Sequence, residues 1–255
     1  DGVTVTSSNS ASTSLNLTSA DMDLSNISNT IQVQLENLDG KNLTLGSNQL
    51  IALNAEYQQT TNTNIPELNF KSDATSSTSN SITIKIIDSD TSNATNTVIC
   101  AGLEMNDIQY LNFDLSDGVD FQSTGNISGS DLLQITVVGD GNFTLSGSTV
   151  VGGLNNAVAM TATNMTGDLN VLMDNTSNGI KNVSSGTGND IITIDGTYQS
   201  SSGVVVNSNA GSDTINLTSN SDGSLSKISL NGGNEIDKVN FESELDFSLS
   251  DLTLT

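Results

Sequence analysis

The chain has 255 residues, of which 34% are hydrophobic and 4% aromatic, and its 29 acidic side chains against 6 basic ones give a net charge of −23. A field of that sign repels nucleic-acid phosphates and anionic membrane surfaces, so neither nucleic-acid binding nor membrane insertion is expected. With no His and no Arg there is no imidazole base or ligand and no guanidinium clamp, and neither a nucleophile elbow nor a phosphate loop is present, so an enzyme is not expected.

Ser, Thr and Asn together make roughly two-fifths of the chain, far above the usual globular share. That composition fits either a disordered polar chain or a repetitive β structure with a thin aliphatic core. The apolar residues decide for β, because they alternate with polar ones in short runs such as Ile31–Leu35 and Ile82–Ile86. Helix signals are nearly absent; Asp21–Leu24 and Leu132–Leu133 could each support one turn. The polar stretches Gln58–Asn64 and Ser72–Ser81 read as loops. Asp88 and Asp90, and the group Asp114, Asp117 and Asp120, are acidic turns that are either solvated or able to hold an ion. Cys100, the single cysteine, lies in the apolar run Val98–Ala101 and reads as a buried, inert thiol. The start Asp1-Gly2-Val3 shows no leader and reads as a fragment or processed product. Two parts are expected: residues 1–125, an irregular solenoid or a sandwich, and residues 126–255, a solenoid.

From about residue 130, apolar pairs recur: Leu133/Ile135, Phe143/Leu145, Val158/Met160, Leu169/Val171, Ile180/Val183, Ile192/Ile194, Val204/Val206, Ile215/Leu217, Ile228/Leu230 and Val239/Phe241. From Val171 onward they step by 11 to 13 residues, and two steps make a unit of 23 to 24. A unit of that size signals a solenoid, in which each coil buries its apolar face only against its neighbours. The predicted fold is therefore all-β, a parallel β-solenoid with two short strands per coil. A β-sandwich with strands at the same spacing would give the same local pattern.

Three turns precede strands of this series: Ser185-Gly186-Thr187-Gly188-Asn189-Asp190, Ser208-Asn209-Ala210-Gly211-Ser212-Asp213 and Gly232-Gly233-Asn234-Glu235-Ile236-Asp237. Their aspartates lie 23 and 24 residues apart, the same period as the apolar pairs. Each turn, with the strand after it, resembles the RTX nonapeptide G-G-x-G-x-D-x-U-x, which binds calcium in parallel β-rolls. Calcium takes 6 to 8 oxygen ligands, and a glycine-rich turn can aim successive carbonyls at one point. The resemblance implies side-chain ligands Asp190, Asp213 and Asp237, with carbonyl ligands from Gly186, Gly188, Asn209, Gly211, Gly232 and Asn234, and Ca2+ as the bound ion. The pattern departs from the family in having one motif per coil, with Ser185, Ser208, Asn209 and Glu235 where glycines are usual. Plain Gly/Asn turns are the alternative. The turns at Gly139–Phe143 and Thr166–Leu169 lack the motif aspartate and read as calcium-free or weakly binding.

These motifs and the composition together resemble surface-layer proteins of the RTX class from Gram-negative bacteria. The resemblance implies type I secretion, folding outside the cell as calcium rises, self-assembly into a lattice at the cell surface, and a cell-surface polysaccharide as a possible anchor. An RTX-type calcium-dependent adhesin segment is the alternative, and a carbohydrate-active enzyme a third reading.

Overall fold

A computed structural model of the chain describes residues 13–14, 22–23, 32–35, 42–45, 50–55, 67–70, 80–88, 96–106, 108–129, 131–146, 149–151, 158–173, 180–195, 203–218, 228–241 and 252–255. The first strands are β1 (Thr13–Ser14), β2 (Met22–Asp23), β3 (Gln32–Leu35), β4 (Asn42–Leu45), β5 (Leu50–Asn54), β6 (Glu67–Phe70), β7 (Ser81–Ile87) and β8 (Thr97–Cys100). The middle of the chain forms β9 (Leu103–Asn106), β10 (Tyr110–Leu115), β11 (Asp120–Ser123), β12 (Ile127–Gly129), β13 (Gln134–Gly139), β14 (Phe143–Leu145), β15 (Thr149–Val151) and β16 (Val158–Met165). The last are β17 (Leu169–Met173), β18 (Ile180–Ser184), β19 (Ile191–Asp195), β20 (Val204–Asn207), β21 (Thr214–Thr218), β22 (Ile228–Asn231), β23 (Lys238–Phe241) and β24 (Leu252–Leu254).

All pairings between these strands are parallel. They build three sheets: a long one of 11 strands from β1 to β24, a second of 7 from β8 to β23, and a third of 6 from β2 to β15. Parallel strands that advance one rung at a time make a β-solenoid, as expected, and this excludes the sandwich for the first half too. The long sheet runs through residue 125 without interruption, since β10 pairs with β13 over six residues.

The coils are not uniform. Between β7 and β15 the chain visits the long, second and third sheets in turn, so each coil has three sides. Beyond β15 no described strand joins the third sheet, and two strands per coil are described.

Parallel pairing in register stacks identical positions about 4.8 Å apart. One inward column of the long sheet reads Ile82, Leu111, Ile135, Met160, Val183, Val206, Leu230 and Leu254. In the second sheet, Cys100, Ser123, Leu145, Val171, Ile192, Ile215 and Val239 form another. Within the three-sided coils Phe113, Phe121 and Phe143 pack on one another, their ring centroids 4.8 to 5.2 Å apart. Each such buried ring contributes about 2 to 3 kcal/mol of transfer free energy.

Several sequence expectations are corrected. No helical turn forms at Met22–Asp23, which is a strand, or at Leu132–Leu133. There Leu132 is fully buried and the Leu133 N–H is committed to Gln109 O of the coil above, so neither residue is free to start a turn. The inward pair of β13 is Ile135 and Val137, with Leu133 half-buried just ahead of the strand. Of the two expected loops, Ser81 opens β7, whereas residues 58–64 and 72–79 lie outside the described residues, as does Asp90. Cys100 is buried, as its apolar neighbours imply, with its Sγ 3.0 Å from Gly102 O. Among the described residues no helix is long and apolar enough to cross a membrane.

Candidate metal site at a carboxylate corner

The corner between the long and second sheets is formed by residues 116–119, 139–142, 166–168, 185–190, 208–213 and 232–237 in successive coils. Stacking requires each corner to lie against the backbone of the one before it, and glycine makes this possible. A Cβ on Gly188 would overlap Gly167 O, and one on Gly211 would overlap Gly188 O. Gly211 also sits at φ 118°, a conformation that L side chains rarely adopt. Asn209 takes φ 64°, which asparagine tolerates, whereas Glu235 holds φ 77° at the position Gly188 and Gly211 occupy in earlier rungs. Its carboxylate turns back to accept the Gly211 N–H at 2.9 Å.

The structure brings Asp190, Asp213 and Asp237 into one column. Each carboxylate reaches up to the rung above: Asp190 Oδ1 accepts the Leu169 N–H at 2.8 Å, Asp213 Oδ1 the Asp190 N–H at 2.8 Å, and Asp237 Oδ1 the Asp213 N–H at 3.1 Å. The column points inward. In earlier coils the same position holds Val98, Phe121, Phe143 and Leu169, and extending the register by one residue puts Asp190 under Leu169. Aspartates here therefore continue an apolar column, which is why Asp190 and Asp213 are 0% and 2% exposed.

Burial has an electrostatic consequence. Asp190 Oδ2 and Asp213 Oδ2 are buried without a hydrogen-bond donor. Ser185 and Ser208 stand beside them, but the Ser185 hydroxyl donates to Ser208 O at 2.8 Å and the Ser208 hydroxyl to Gly232 O at 3.0 Å. Desolvation raises the Asp190 carboxyl to about 6, opposed in part by Ser185 and the Leu169 N–H, while the charges of Asp213 and Asp168 raise it further. Asp213 is raised for the same first reason, with Asp237 and Glu235 as its like-charged neighbours.

A second ladder, not read from the sequence, runs on the outward side of the same corner. Asp120 accepts the Asn142 N–H at 2.8 Å, Asn142 the Asp168 N–H at 2.8 Å, Asp168 the Asn189 N–H at 2.7 Å and Asn189 the Ser212 N–H at 3.0 Å. Its signal was present: an Asp or Asn stands immediately before the inward residue in each of these coils. Asp168 thus lies one position ahead of the Asp190 column, so the corner at Thr166–Leu169 has no inward carboxylate. Asp140 is exposed. In the acidic turn before β11, Asp117 pairs with Lys85 at 3.1 Å and Asp114 accepts the Ser116 N–H at 3.0 Å.

The carbonyls that the RTX resemblance implies are partly engaged. Gly186 O accepts the Ala210 N–H at 3.3 Å, Asn209 O the Asn234 N–H at 2.7 Å, and Gly232 O the Ser208 hydroxyl. A carbonyl has two lone pairs, so each keeps one. Among the described residues no three of Asp, Glu and Cys converge on one point as a metal cluster. What the corner offers a hard cation is two buried, undonated carboxylate oxygens one rung apart, together with hydroxyl and carbonyl oxygens. That donor set suits calcium in chemistry, with neighbouring rungs each supplying part of a shell. No known protein family, curated protein or solved structure matches the chain.

Proposed function

We propose that this chain is a structural protein of an extracellular surface layer, which folds and assembles with copies of itself into a lattice as calcium loads its carboxylate corner. One comparison carries the reading. In the outward ladder Asp and Asn alternate, because either side chain can accept a backbone N–H. In the inward column all three positions are Asp, although a neutral amide would accept the same bond without burying a charge. The uniform choice of the costly group supports a use for its charge, and a bound cation is the use that also satisfies the two undonated oxygens.

Asp190, Asp213 and Asp237 would hold the ion, with the free lone pairs of Gly186, Gly188, Asn209, Gly211, Gly232 and Asn234. Calcium supplies there the positive charge that offsets the carboxylates. Since it binds the folded corner and not the unfolded chain, its binding free energy becomes folding free energy. Low cytosolic calcium would then leave a chain of charge −23 unfolded and competent for type I secretion, and calcium outside would fold it. A solenoid of parallel rungs with no assigned catalytic group is suited to a load-bearing role, held at the surface through a polysaccharide.

The test is a calcium titration of the purified chain, with EGTA reversal, followed by circular dichroism and by electron microscopy. The proposal expects a reversible rise in β signal and ordered two-dimensional arrays. Folding without arrays would instead support an adhesin segment, and identical spectra with and without calcium would overturn the calcium reading.

A further inference from the structure

The first residue of each motif corner is Ser185, Ser208 or Gly232. Glycine is usual there in the turns these corners resemble, so the two serines are a feature of this chain. Both are fully buried, at 0% exposure. Burying a hydroxyl is unfavourable unless it finds a partner. The Ser185 hydroxyl donates to Ser208 O at 2.8 Å, and the Ser208 hydroxyl to Gly232 O at 3.0 Å and Asn231 O at 3.3 Å.

Those bonds fix where the protons are. A carbonyl can only accept, and a hydroxyl carries one proton. With its proton turned to a carbonyl of the next rung, each serine oxygen has only lone pairs left for other neighbours. Ser185 lies within hydrogen-bonding reach of the Asp190 carboxylate, and Ser208 of the Asp213 carboxylate. These are the two carboxylates whose Oδ2 atoms are buried without a donor. In each of the two corners, a buried hydroxyl and a buried carboxylate therefore stand side by side as acceptors. That pairing is repulsive on its own and becomes attractive around a hard cation, whose ligands are oxygens. The third corner differs. A Cβ on Gly232 would overlap Asp237 Oδ2, so a serine side chain there would collide with the carboxylate.

We infer that Ser185 and Ser208 are direct calcium ligands through Oγ, each acting with the carboxylate of its own corner. This assignment rests on the calcium reading of the same corners and adds two ligands to it. It also separates the first two corners, which offer a hydroxyl, from the third, which has no room for one.

A serine kept only for its bond to the next rung would also cost stability when removed, so the test reads the shell of the ion itself. Terbium, a hard cation that takes calcium's oxygen sites, is loaded onto the full chain, and its luminescence decay in light and heavy water counts the coordinated waters. Ser185→Ala and Ser208→Ala should each raise that count, by about one water at the affected ion, and weaken calcium binding by roughly tenfold in titration calorimetry. Ser185→Gly, which installs the residue usual in such turns, should give the same result and serves where the alanine variant does not fold. Asn216→Ala removes an outward rung-to-rung bond instead and should change neither quantity. An unchanged water count in the serine variants, with or without weaker binding, or an equal rise in Asn216→Ala, would overturn the inference and leave the calcium reading standing. A parent chain that takes up neither terbium nor calcium would overturn both.

Discussion

The three-sided middle coils and the last coils, where two strands per coil are described, solve the same problem with opposite chemistry. Both stack one residue per rung at the inward position just after the corner. In the three-sided coils that column is Val98, Phe121 and Phe143, with the two rings packed on Phe113; after Leu169 it becomes Asp190, Asp213 and Asp237. The three-sided interior is filled by these rings. In the last coils the carboxylates bond the rung above through one oxygen, and Asp190 and Asp213 leave the other without a donor. Stability in one region is therefore a matter of packing, and in the other a matter of what balances charge.

The largest effect expected from breaking this comparison is in the packed region. Phe143→Ala removes a fully buried ring from the aromatic group and should cost about 3 to 5 kcal/mol, by the same amount in calcium and in EGTA, as read from urea unfolding. Gly211→Ala places a Cβ onto Gly188 O at a positive φ, and should cost about 2 to 4 kcal/mol in either condition, mainly as faster exchange in β19 and β21.

Asp213→Asn sharpens the contrast because its sign should depend on the ion. The amide keeps the acceptor for the Asp190 N–H and removes a buried charge. In EGTA at neutral pH the variant should be more stable than the parent by about 1 to 2 kcal/mol, and in calcium less stable by a similar amount. A variant equal to the parent in both conditions would assign Asp213 no role beyond the ladder.

A further expected effect is on pH dependence. The folded Asp190 carboxyl, at about 6, lies above its ordinary value of 3.8, so the folded state holds this proton more tightly than the unfolded one. Its contribution is fully present below the ordinary value and is lost as pH rises through about 6. Without calcium, stability attributable to Asp190 should therefore fall between pH 4 and 7, by on the order of 2 to 3 kcal/mol. Asp190→Asn should flatten that part of the profile, and so should calcium, since a cation replaces the proton.

Much of this was legible in the sequence, and its limits are physical. The 23- to 24-residue period and the in-register aspartates could be read because parallel stacking turns a sequence repeat directly into a spatial column. The third sheet could not be read, since its strands, such as Ile127–Gly129, are too short to show a period of their own. The inward direction of the aspartates was hidden as well. It follows from Asp190 standing opposite Leu169 rather than opposite Asp168, a one-residue register difference that reverses which face a side chain takes. The outward ladder went unread because its alternating Asp and Asn resemble ordinary turn residues until their backbone partners are known.

The central claim is that charge balance, and not packing, governs the last coils. Amide hydrogen exchange of the whole chain in calcium and in EGTA tests it most directly. The account predicts that calcium slows exchange across β18–β23 while leaving β10–β14 unchanged. Equal exchange in both conditions throughout, or a calcium effect no larger around Asp190 and Asp213 than around Phe113 and Phe143, would contradict it.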